Sequence, residues 1–139
     1  MAADKAGVGD RTTFEVAAAK GYPGAGYDLV TFFDCLHDMG DPVGAARHVR
    51  KSLAPGGVWM LVEPFANDRL EDNLNPVATM FYGFSVFHCM TQSLARGGPG
   101  LGTCMGPKQT EKLVRAAGFR EFKMLDIKSQ TNLFYCATP

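Results

Sequence analysis

An excess of charge of either sign is missing from this sequence. Lysine and arginine together number 14, and aspartate and glutamate also number 14, so the formal net charge is zero. Proteins that bind nucleic acids or anionic membrane surfaces usually carry a basic excess or patch. The composition therefore predicts neither partner, and a net charge of zero also does little to oppose self-association.

Signals that would direct the chain to secretion or into a membrane are missing too. The opening residues, MAADKAGVGD, contain no apolar run of the kind found in secretory signal peptides. The most apolar stretch, MFYGFSVFHCM at 80–90, is much too short to cross a bilayer. We therefore expect a cytoplasmic protein.

Cysteine pairs typical of metal or redox sites are also absent. The cysteines form no C-x-x-C pair, and their spacing does not indicate a zinc site, so we predict no metal. In a cytoplasmic protein these thiols are expected to stay reduced. They are Cys35, Cys89, Cys104 and Cys136.

What the chain does contain is typical of one globular domain. With 139 residues, 46% of them hydrophobic and 20% charged, a single domain over 1–139 is expected. YDLVTFF (27–33) and VWMLVE (58–63) are near-continuous apolar runs, as in strands buried on both faces of a parallel sheet. Between them, Asp41 and Pro42 favour a helix start. A strand, a helix and a strand with short links predict a parallel βαβ unit.

The end of the chain predicts an antiparallel hairpin. A helix is expected from about 107 to 117, and EFKMLDI (121–127) and TNLFYCA (131–137) favour strands joined by only three residues. We predict that the two apolar strands are neighbours, that 131–137 pairs antiparallel with the second of them, and that 121–127 forms the sheet edge. The fold class is therefore α/β.

Two further segments are less clearly patterned. RTTFEVAAA (11–19) favours a short strand, although its alanines fit a helix equally well. A helix with apolar residues around most of its circumference is expected over 77–94, before a glycine-rich loop at 96–107.

The order of these elements and several of their strings resemble one protein family. YDLVTFFDCLHDMGDPVGAARHVRKSLAPGGVWMLVEP resembles the fourth-to-fifth-strand region of Rossmann-like class I S-adenosylmethionine-dependent methyltransferases, with APGG before an apolar strand as its most typical piece. KQTEKLVRAAGFREFKMLDI and the closing hairpin look like the family's last helix and last two strands. The resemblance covers roughly 11–139 and implies a partial Rossmann-like methyltransferase sheet, with parallel strands and a C-terminal antiparallel hairpin.

The sequence departs from this family in the region that binds the cofactor. The family's glycine-rich loop and its ribose-binding acidic residue belong before residue 11, and GVGD (7–10) has no apolar strand ahead of it. The place of the family's adenine-binding Asp falls at 17–19, where only alanines stand. We therefore expect a truncated methyltransferase domain that binds S-adenosylmethionine weakly or not at all.

His37 and Glu63 are the predicted catalytic residues. His37 lies just beyond the carboxyl end of a buried strand, where open α/β sheets place their ligands, and an imidazole suits removal of a phenolic proton at neutral pH. CLHDM resembles the family motif whose histidine deprotonates the acceptor hydroxyl. Glu63 ends the next strand, so it can orient the imidazole or bind the sulfonium side of the cofactor. A structural loop histidine and a capping carboxylate are the alternatives.

Cofactor and substrate contacts are expected from other positions near the same edge of the sheet. By the resemblance, Asp34, Phe33 and Ala18 would contact the cofactor, with a turn carboxylate as the alternative role of Asp34. The region 67–106 takes the place of the insertion that covers the acceptor pocket in this family, and an ordinary buried helix is the alternative. The side chains expected to receive a flat, apolar acceptor are Met80, Phe84 and Phe87.

The sequence supports two hypotheses about function. The first is methyl transfer to a hydroxyl or similar group of a small apolar molecule. The second is a catalytically inactive, truncated domain that keeps the fold for binding or oligomerisation. Without the family's first strands, 27–33 would expose an apolar edge, so a homodimer is expected; the alternative is that 11–17 folds back onto 27–33 within one chain and covers that edge.

Overall fold

A four-stranded mixed sheet forms the centre of the structure. The computed structural model describes residues 2–139. In its sheet the strands follow the order β1-β2-β4-β3, with β1 parallel to β2 and the other pairs antiparallel. The strands are β1 Tyr27–Phe33, β2 Leu53–Pro64, β3 Glu121–Met124 and β4 Asn132–Thr138. The predicted α/β class and the predicted strand order are confirmed.

Helices and tight turns connect the strands. The α-helices are α1 Ala2–Lys5, α2 Pro42–Ser52, α3 Pro76–Phe84, α4 Met90–Ala95 and α5 Pro107–Ala116. A π-helical turn, Ser85–Cys89, joins α3 to α4. The 3-10 turns are Gly9–Arg11, Leu36–Asp38 and Leu70–Asn73.

The helix α2 begins as the sequence predicts and crosses from β1 to β2. Oδ1 of Asp41 accepts a 2.8 Å hydrogen bond from the backbone N–H of Gly44, and Pro42 occupies the first turn, where its missing N–H costs nothing. The buried face of α2, which includes Ala46 and Val49, joins the main hydrophobic core. This crossover brings the carboxyl ends of β1 and β2 to the same edge of the sheet.

The core is centred on β2, one of the two strands with a partner on each side. Trp59 is fully buried, and the centre of its ring lies 5.3 Å from the ring centres of both Phe32 and Phe119. Leu61 points to the same face of the strand and is also buried. Aromatic side chains of this size bury a large apolar area and contribute strongly to stability.

β2 begins earlier than predicted because Leu53, just before the APGG segment, already pairs with the start of β1. Tyr27 pairs with Leu53, and the register shifts before Leu29 pairs with Val58. A Cβ at Gly57 would lie 2.6 Å from the carbonyl oxygen of Tyr27, so only glycine allows the two strands to come this close. The glycine-rich string therefore has a packing function within β2, whereas α2 has already ended at Ser52.

The predicted strand at 11–19 is wrong. Residues 12–18 have no regular secondary structure, and Phe14 and Val16 are exposed. A strand is stabilised by pairing, and no strand of the described residues lies hydrogen-bonded to this segment. A favourable local composition is therefore not enough to form one here.

Two other boundaries also differ from the sequence prediction. The helix expected over 77–94 is interrupted by the π turn, and many of its apolar side chains are exposed, so it is not an ordinary buried helix. The strand expected over 121–127 ends at Met124, because the backbone N–H of Ile127 donates to the carbonyl of Leu125 (2.8 Å) and turns the chain out of the ladder.

Candidate functional site

The candidate site lies where β1 and β2 end. Asp34 follows β1 directly and has φ of 47°, a left-handed backbone conformation that is uncommon outside glycine. Its backbone N–H donates to the carbonyl of Val62 (2.9 Å), which ties this sharp turn to the end of β2. The 3-10 turn Leu36–Asp38 follows immediately, so His37 is placed over the end of the neighbouring strand.

A buried carboxylate holds the imidazole of His37. Nδ1 of His37 and Oε2 of Glu63 form a short hydrogen bond, in which the ring N–H donates because an ionised carboxylate can only accept. Oε1 of Glu63 accepts a 3.0 Å hydrogen bond from the backbone N–H of Leu36. His37 and Glu63 are each only 2% exposed. The ring orientation and the nitrogen that carries the proton are therefore set by Glu63.

The second ring nitrogen of His37 faces another carboxylate. Nε2 lies 3.1 Å from Oδ1 of Asp38, and Oδ2 of Asp38 lies 3.6 Å from Nε2 of His88. Oδ1 is buried and has no hydrogen-bond partner of good geometry among residues 2–139. The site thus contains a carboxylate oxygen that is shielded from solvent and has the His37 ring nitrogen as a close but poorly aligned neighbour.

Opposing effects determine the pKa of His37. Burial lowers it, whereas the hydrogen bond to Glu63 and the negative charges of Glu63, Asp38 and Asp34 raise it. The net effect is a pKa above the ordinary value of about 6.5. The imidazole therefore holds a proton more firmly than a solvent-exposed histidine does.

The same surroundings affect two other groups. Partial burial raises the pKa of the Asp34 carboxyl, against the lowering effects of His37 and of the 2.7 Å hydrogen bond that Asn132 Nδ2 donates to Asp34 Oδ1. Burial raises the pKa of the Cys89 thiol to about 11. The Cys89 thiol, 2.9 Å from Oγ1 of Thr103, is thus neutral at physiological pH.

A cavity of about 480 Å³ opens beside these groups. Its wall includes Asp34 and His37 from the strand ends and Phe84 from the end of α3, so the structure brings together three of the predicted site residues, with Glu63 directly behind His37. Its apolar side is formed by Phe81, Phe84 and Pro64. This combination of apolar wall and a few polar groups is typical of small-molecule pockets.

The other predicted site residues lie outside this cavity. Ala18 lines a separate cavity of about 420 Å³, together with Met39 and Arg96. Phe33, Met80 and Phe87 are exposed side chains that line neither cavity. Their predicted roles in binding remain predictions.

Sequence reasoning missed several residues of the site. None of Asp38, Cys89, Asn132 and His88 was predicted to take part in the site, and the side chain of His88 is 63% exposed at the cavity. Asp38 follows His37 in the quoted motif, so the sequence contained a signal for it. Nothing local indicated that Cys89 would approach it from a distant segment.

These features define a class of protein. A parallel strand–helix–strand unit closed by an antiparallel hairpin, with polar side chains at the carboxyl ends of its strands, is a Rossmann-like α/β domain with part of the methyltransferase sheet. A family model described as "Methyltransferase domain" matches residues 3–121. The chain belongs to this methyltransferase family.

Solved structures with the same fold agree with this assignment. A putative O-methyltransferase from Nostoc punctiforme is 20% identical and superimposes with a TM-score of 0.73, over 98% of this chain and 39% of that one. An O-methyltransferase family protein from Burkholderia thailandensis is 20% identical, with a TM-score of 0.67 over 98% and 38%. Human N-acetylserotonin methyltransferase, solved in complex with S-adenosylmethionine, is 19% identical, with a TM-score of 0.61 over 94% and 36%. The chain therefore spans less than two fifths of the length of these structures.

Comparison with curated proteins adds no relative, because no significant match is found there. Among residues 2–139, no helix combines the length and the apolar character that crossing a membrane requires.

Proposed function

We propose that the protein takes part in S-adenosylmethionine-dependent methyl transfer to a hydroxyl, or a similar nucleophile, of a small apolar acceptor. The single observation that carries this proposal is the buried pair His37–Glu63 at the edge of a methyltransferase sheet, beside a cavity with an aromatic wall. The methyltransferase family and the solved structures support the reaction class.

In this proposal His37 is the general base. Glu63 holds Nδ1, so Nε2 is the nitrogen that faces the cavity and can accept the acceptor's proton. Glu63 also stabilises the imidazolium that forms, because its carboxylate is buried beside the ring and therefore weakly screened. Glu63 acts here as a positioning residue.

The acceptor is proposed to lie against the aromatic side of the cavity. Phe81 and Phe84 offer flat apolar surfaces, while Asp34 and Asn132, joined by a 2.7 Å hydrogen bond, give one polar boundary. A flat molecule with a single acidic hydroxyl matches this distribution of apolar and polar groups.

The described residues fit the cofactor only in part. What the cofactor class supplies is an electrophilic methyl group. Asp34, in a left-handed turn at the end of β1, is a candidate contact, but residues 2–139 contain no glycine-rich loop between a strand and a helix to bind its polar end. We therefore expect this chain alone to bind S-adenosylhomocysteine weakly or not at all. Calorimetric titration would contradict this expectation if it gave micromolar affinity.

The proposal is tested by measuring the rate of methyl transfer by the whole native protein. The assay contains S-adenosylmethionine and a panel of small phenols. His37→Ala should lower the rate by about 10²–10⁴-fold, because the base is lost. Glu63→Gln should move the acidic limb of the pH–rate profile to lower pH, because the carboxylate that raises the pKa of His37 becomes neutral.

The matched control is His48→Ala. His48 lies on α2, and its Nε2 donates to the carbonyl of Tyr22 (2.8 Å), so it is a partly buried histidine that does not line the cavity. If His37→Ala and His48→Ala changed the rate equally, or if neither changed it, His37 would not be the base. Absence of any methyl transfer by a protein that binds the cofactor would favour the second hypothesis, a catalytically inactive domain kept for binding or oligomerisation.

A further inference from the structure

We propose that His37, Asp38 and Cys89 form a binding site for Zn²⁺ in the wall of the His37 cavity, with His88 as a fourth ligand. Metal bound there would occupy Nε2 of His37, so it would block proton transfer in the reaction proposed above. The metal site itself goes beyond that reaction and does not depend on it.

The distances between the candidate ligands suit a metal ion. One ligand atom from each of His37, Asp38 and Cys89 lies within 4.8 Å of the other two. Zinc binds nitrogen and carboxylate oxygen at about 2.0–2.2 Å and thiolate sulfur at about 2.3 Å, so tetrahedral ligand atoms stand roughly 3–4 Å apart. The 3.1 Å separation of His37 Nε2 and Asp38 Oδ1 already falls in this range. The Cys89 thiol belongs to the same cluster and interacts with the Asp38 carboxylate.

The residues behind His37 are arranged as in metal-binding histidines. Such histidines nearly always donate their second ring N–H to a carboxylate or a carbonyl, which directs the other nitrogen's lone pair to the metal. Glu63 provides this carboxylate at Nδ1, and the Leu36 N–H fixes its other oxygen at 3.0 Å. The imidazole is therefore pre-oriented with Nε2 towards Asp38 and Cys89.

The electrostatics of the site call for a cation. When His37 is neutral, the lone pair of Nε2 and the buried oxygen Oδ1 of Asp38 face each other, and Oδ1 accepts no aligned hydrogen bond. The Asp38 carboxylate interacts with the Cys89 thiol, but a buried carboxylate oxygen that lacks an aligned hydrogen bond still costs stability. A bound metal ion satisfies the nitrogen and the oxygen together, while a second proton on His37 satisfies the oxygen only poorly because the geometry is misaligned.

The π turn Ser85–Cys89 supplies the proposed fourth ligand, which lies on the side from which a metal ion can enter the cavity. This turn places His88 and Cys89 side by side facing Asp38, and π turns are frequent at functional sites. Nε2 of His88 lies 3.6 Å from Oδ2 of Asp38, and its side chain is 63% exposed, so it can move to the metal from the open side of the cavity.

The kind of ligand selects the kind of metal. Calcium and magnesium prefer sites made of oxygen atoms, whereas two imidazoles, a carboxylate and a thiolate suit Zn²⁺ and bind Co²⁺ in the same geometry. Binding requires Cys89 to release its thiol proton to solvent, so the ion replaces one proton at the sulfur.

The experiment is titration of the purified chain with Zn²⁺ and, separately, with Co²⁺, in the absence of cofactor and acceptor. We expect one ion per chain by calorimetry and, with Co²⁺, the near-ultraviolet absorption of a cobalt–thiolate bond. Cys89→Ser should remove this absorption. Glu63→Gln should weaken zinc binding by about 10–100-fold, because it removes the group that orients His37.

Cys136→Ser is the matched control, since Cys136 lies on β4 opposite Met60 and outside the cluster. It should leave both the affinity and the cobalt spectrum unchanged. Asp38→Asn gives a second variant of nearly equal volume in case Cys89→Ser disturbs packing, and it should also weaken binding. The proposal is overturned if no ion binds, or if Cys136→Ser abolishes the spectrum as Cys89→Ser does. Because no methyl donor is present, this result is independent of whether the protein transfers methyl groups.

Discussion

His37 is the residue on which both proposals depend. One carboxylate, Glu63, holds Nδ1 in a buried hydrogen bond, and a second, Asp38, faces Nε2. In the proposed function this arrangement would suit general base catalysis, because the ring is oriented and its conjugate acid is stabilised. It also favours a cation at Nε2, which is why methyl transfer and metal binding would compete for the same nitrogen.

The raised pKa of His37 predicts how stability depends on pH. The folded state binds the proton more tightly than the unfolded state, so the stabilisation is fully present below the unfolded pKa of about 6.5 and is lost as pH rises through the folded pKa. Urea unfolding between about pH 6 and about pH 8 should therefore show a free energy of unfolding that falls with pH.

Glu63→Gln provides the control for this dependence. The amide oxygen can still accept from the Leu36 N–H, but the charge that raises the pKa of His37 is gone. The fall in stability over this pH range should become clearly smaller in the variant. An equal fall in both proteins would assign the pH dependence to other groups.

A few backbone contacts determine how closely the strands and helices of this fold pack against one another. The bulged pairing of Tyr27 with the start of β2 depends on Gly57, where a side chain would meet a carbonyl oxygen at 2.6 Å. The π turn between α3 and α4 similarly decides which side chains face the cavity, because one added residue per turn rotates every later position.

Gly57→Ala should destabilise the protein by about 1–3 kcal/mol, because the methyl group overpacks a backbone contact that cannot move aside. Gly21→Ala is the control, since a Cβ there would meet nothing within 4 Å. Denaturant unfolding of the two variants checks the prediction. Equal stability of the two would show that the β1–β2 contact relaxes without cost.

At the scale of the whole molecule, the β1 edge of the sheet is open and apolar. β1 is an edge strand, and among residues 2–139 no strand pairs with its outer edge. Tyr27, Leu29 and Phe33 on this strand are exposed, and residues 12–18 do not fold back to pair with it. An unpaired edge with exposed apolar side chains favours pairing with another chain.

We therefore predict that the chain self-associates, with a symmetric dimer as the simplest closed arrangement. Leu29→Lys should shift the population towards monomer, because a charge on an edge strand opposes edge-to-edge pairing. Ile127→Lys is the control, since Ile127 is about as exposed but follows β3 on the opposite edge of the sheet. Sedimentation velocity at micromolar concentration measures the effect. A monomer in the unmodified protein would contradict the prediction.

Much of the fold was predictable from local sequence. The apolar runs at β1 and β2 and the Asp41–Pro42 helix start lie close to where the sequence placed them, because strand preference and helix capping depend on neighbouring residues. The expected burial of β1 on both faces is wrong, since most of its side chains are exposed at the edge of the sheet. The juxtaposition of His37 and Glu63 was predictable for a related reason. A parallel crossover necessarily brings the carboxyl ends of adjacent strands to one edge.

Local pattern and chain connectivity were therefore enough to predict β1, α2, β2, α5 and the closing hairpin, the sheet order and the pair His37–Glu63. The folded chain was needed to establish that 11–19 forms no strand, that the apolar helix contains a π turn, and that Cys89 and His88 approach Asp38. These features depend on whether a distant segment supplies a hydrogen-bonding edge or a packing surface. Local composition carries no information about that distant segment, so these features can be known only from the folded structure.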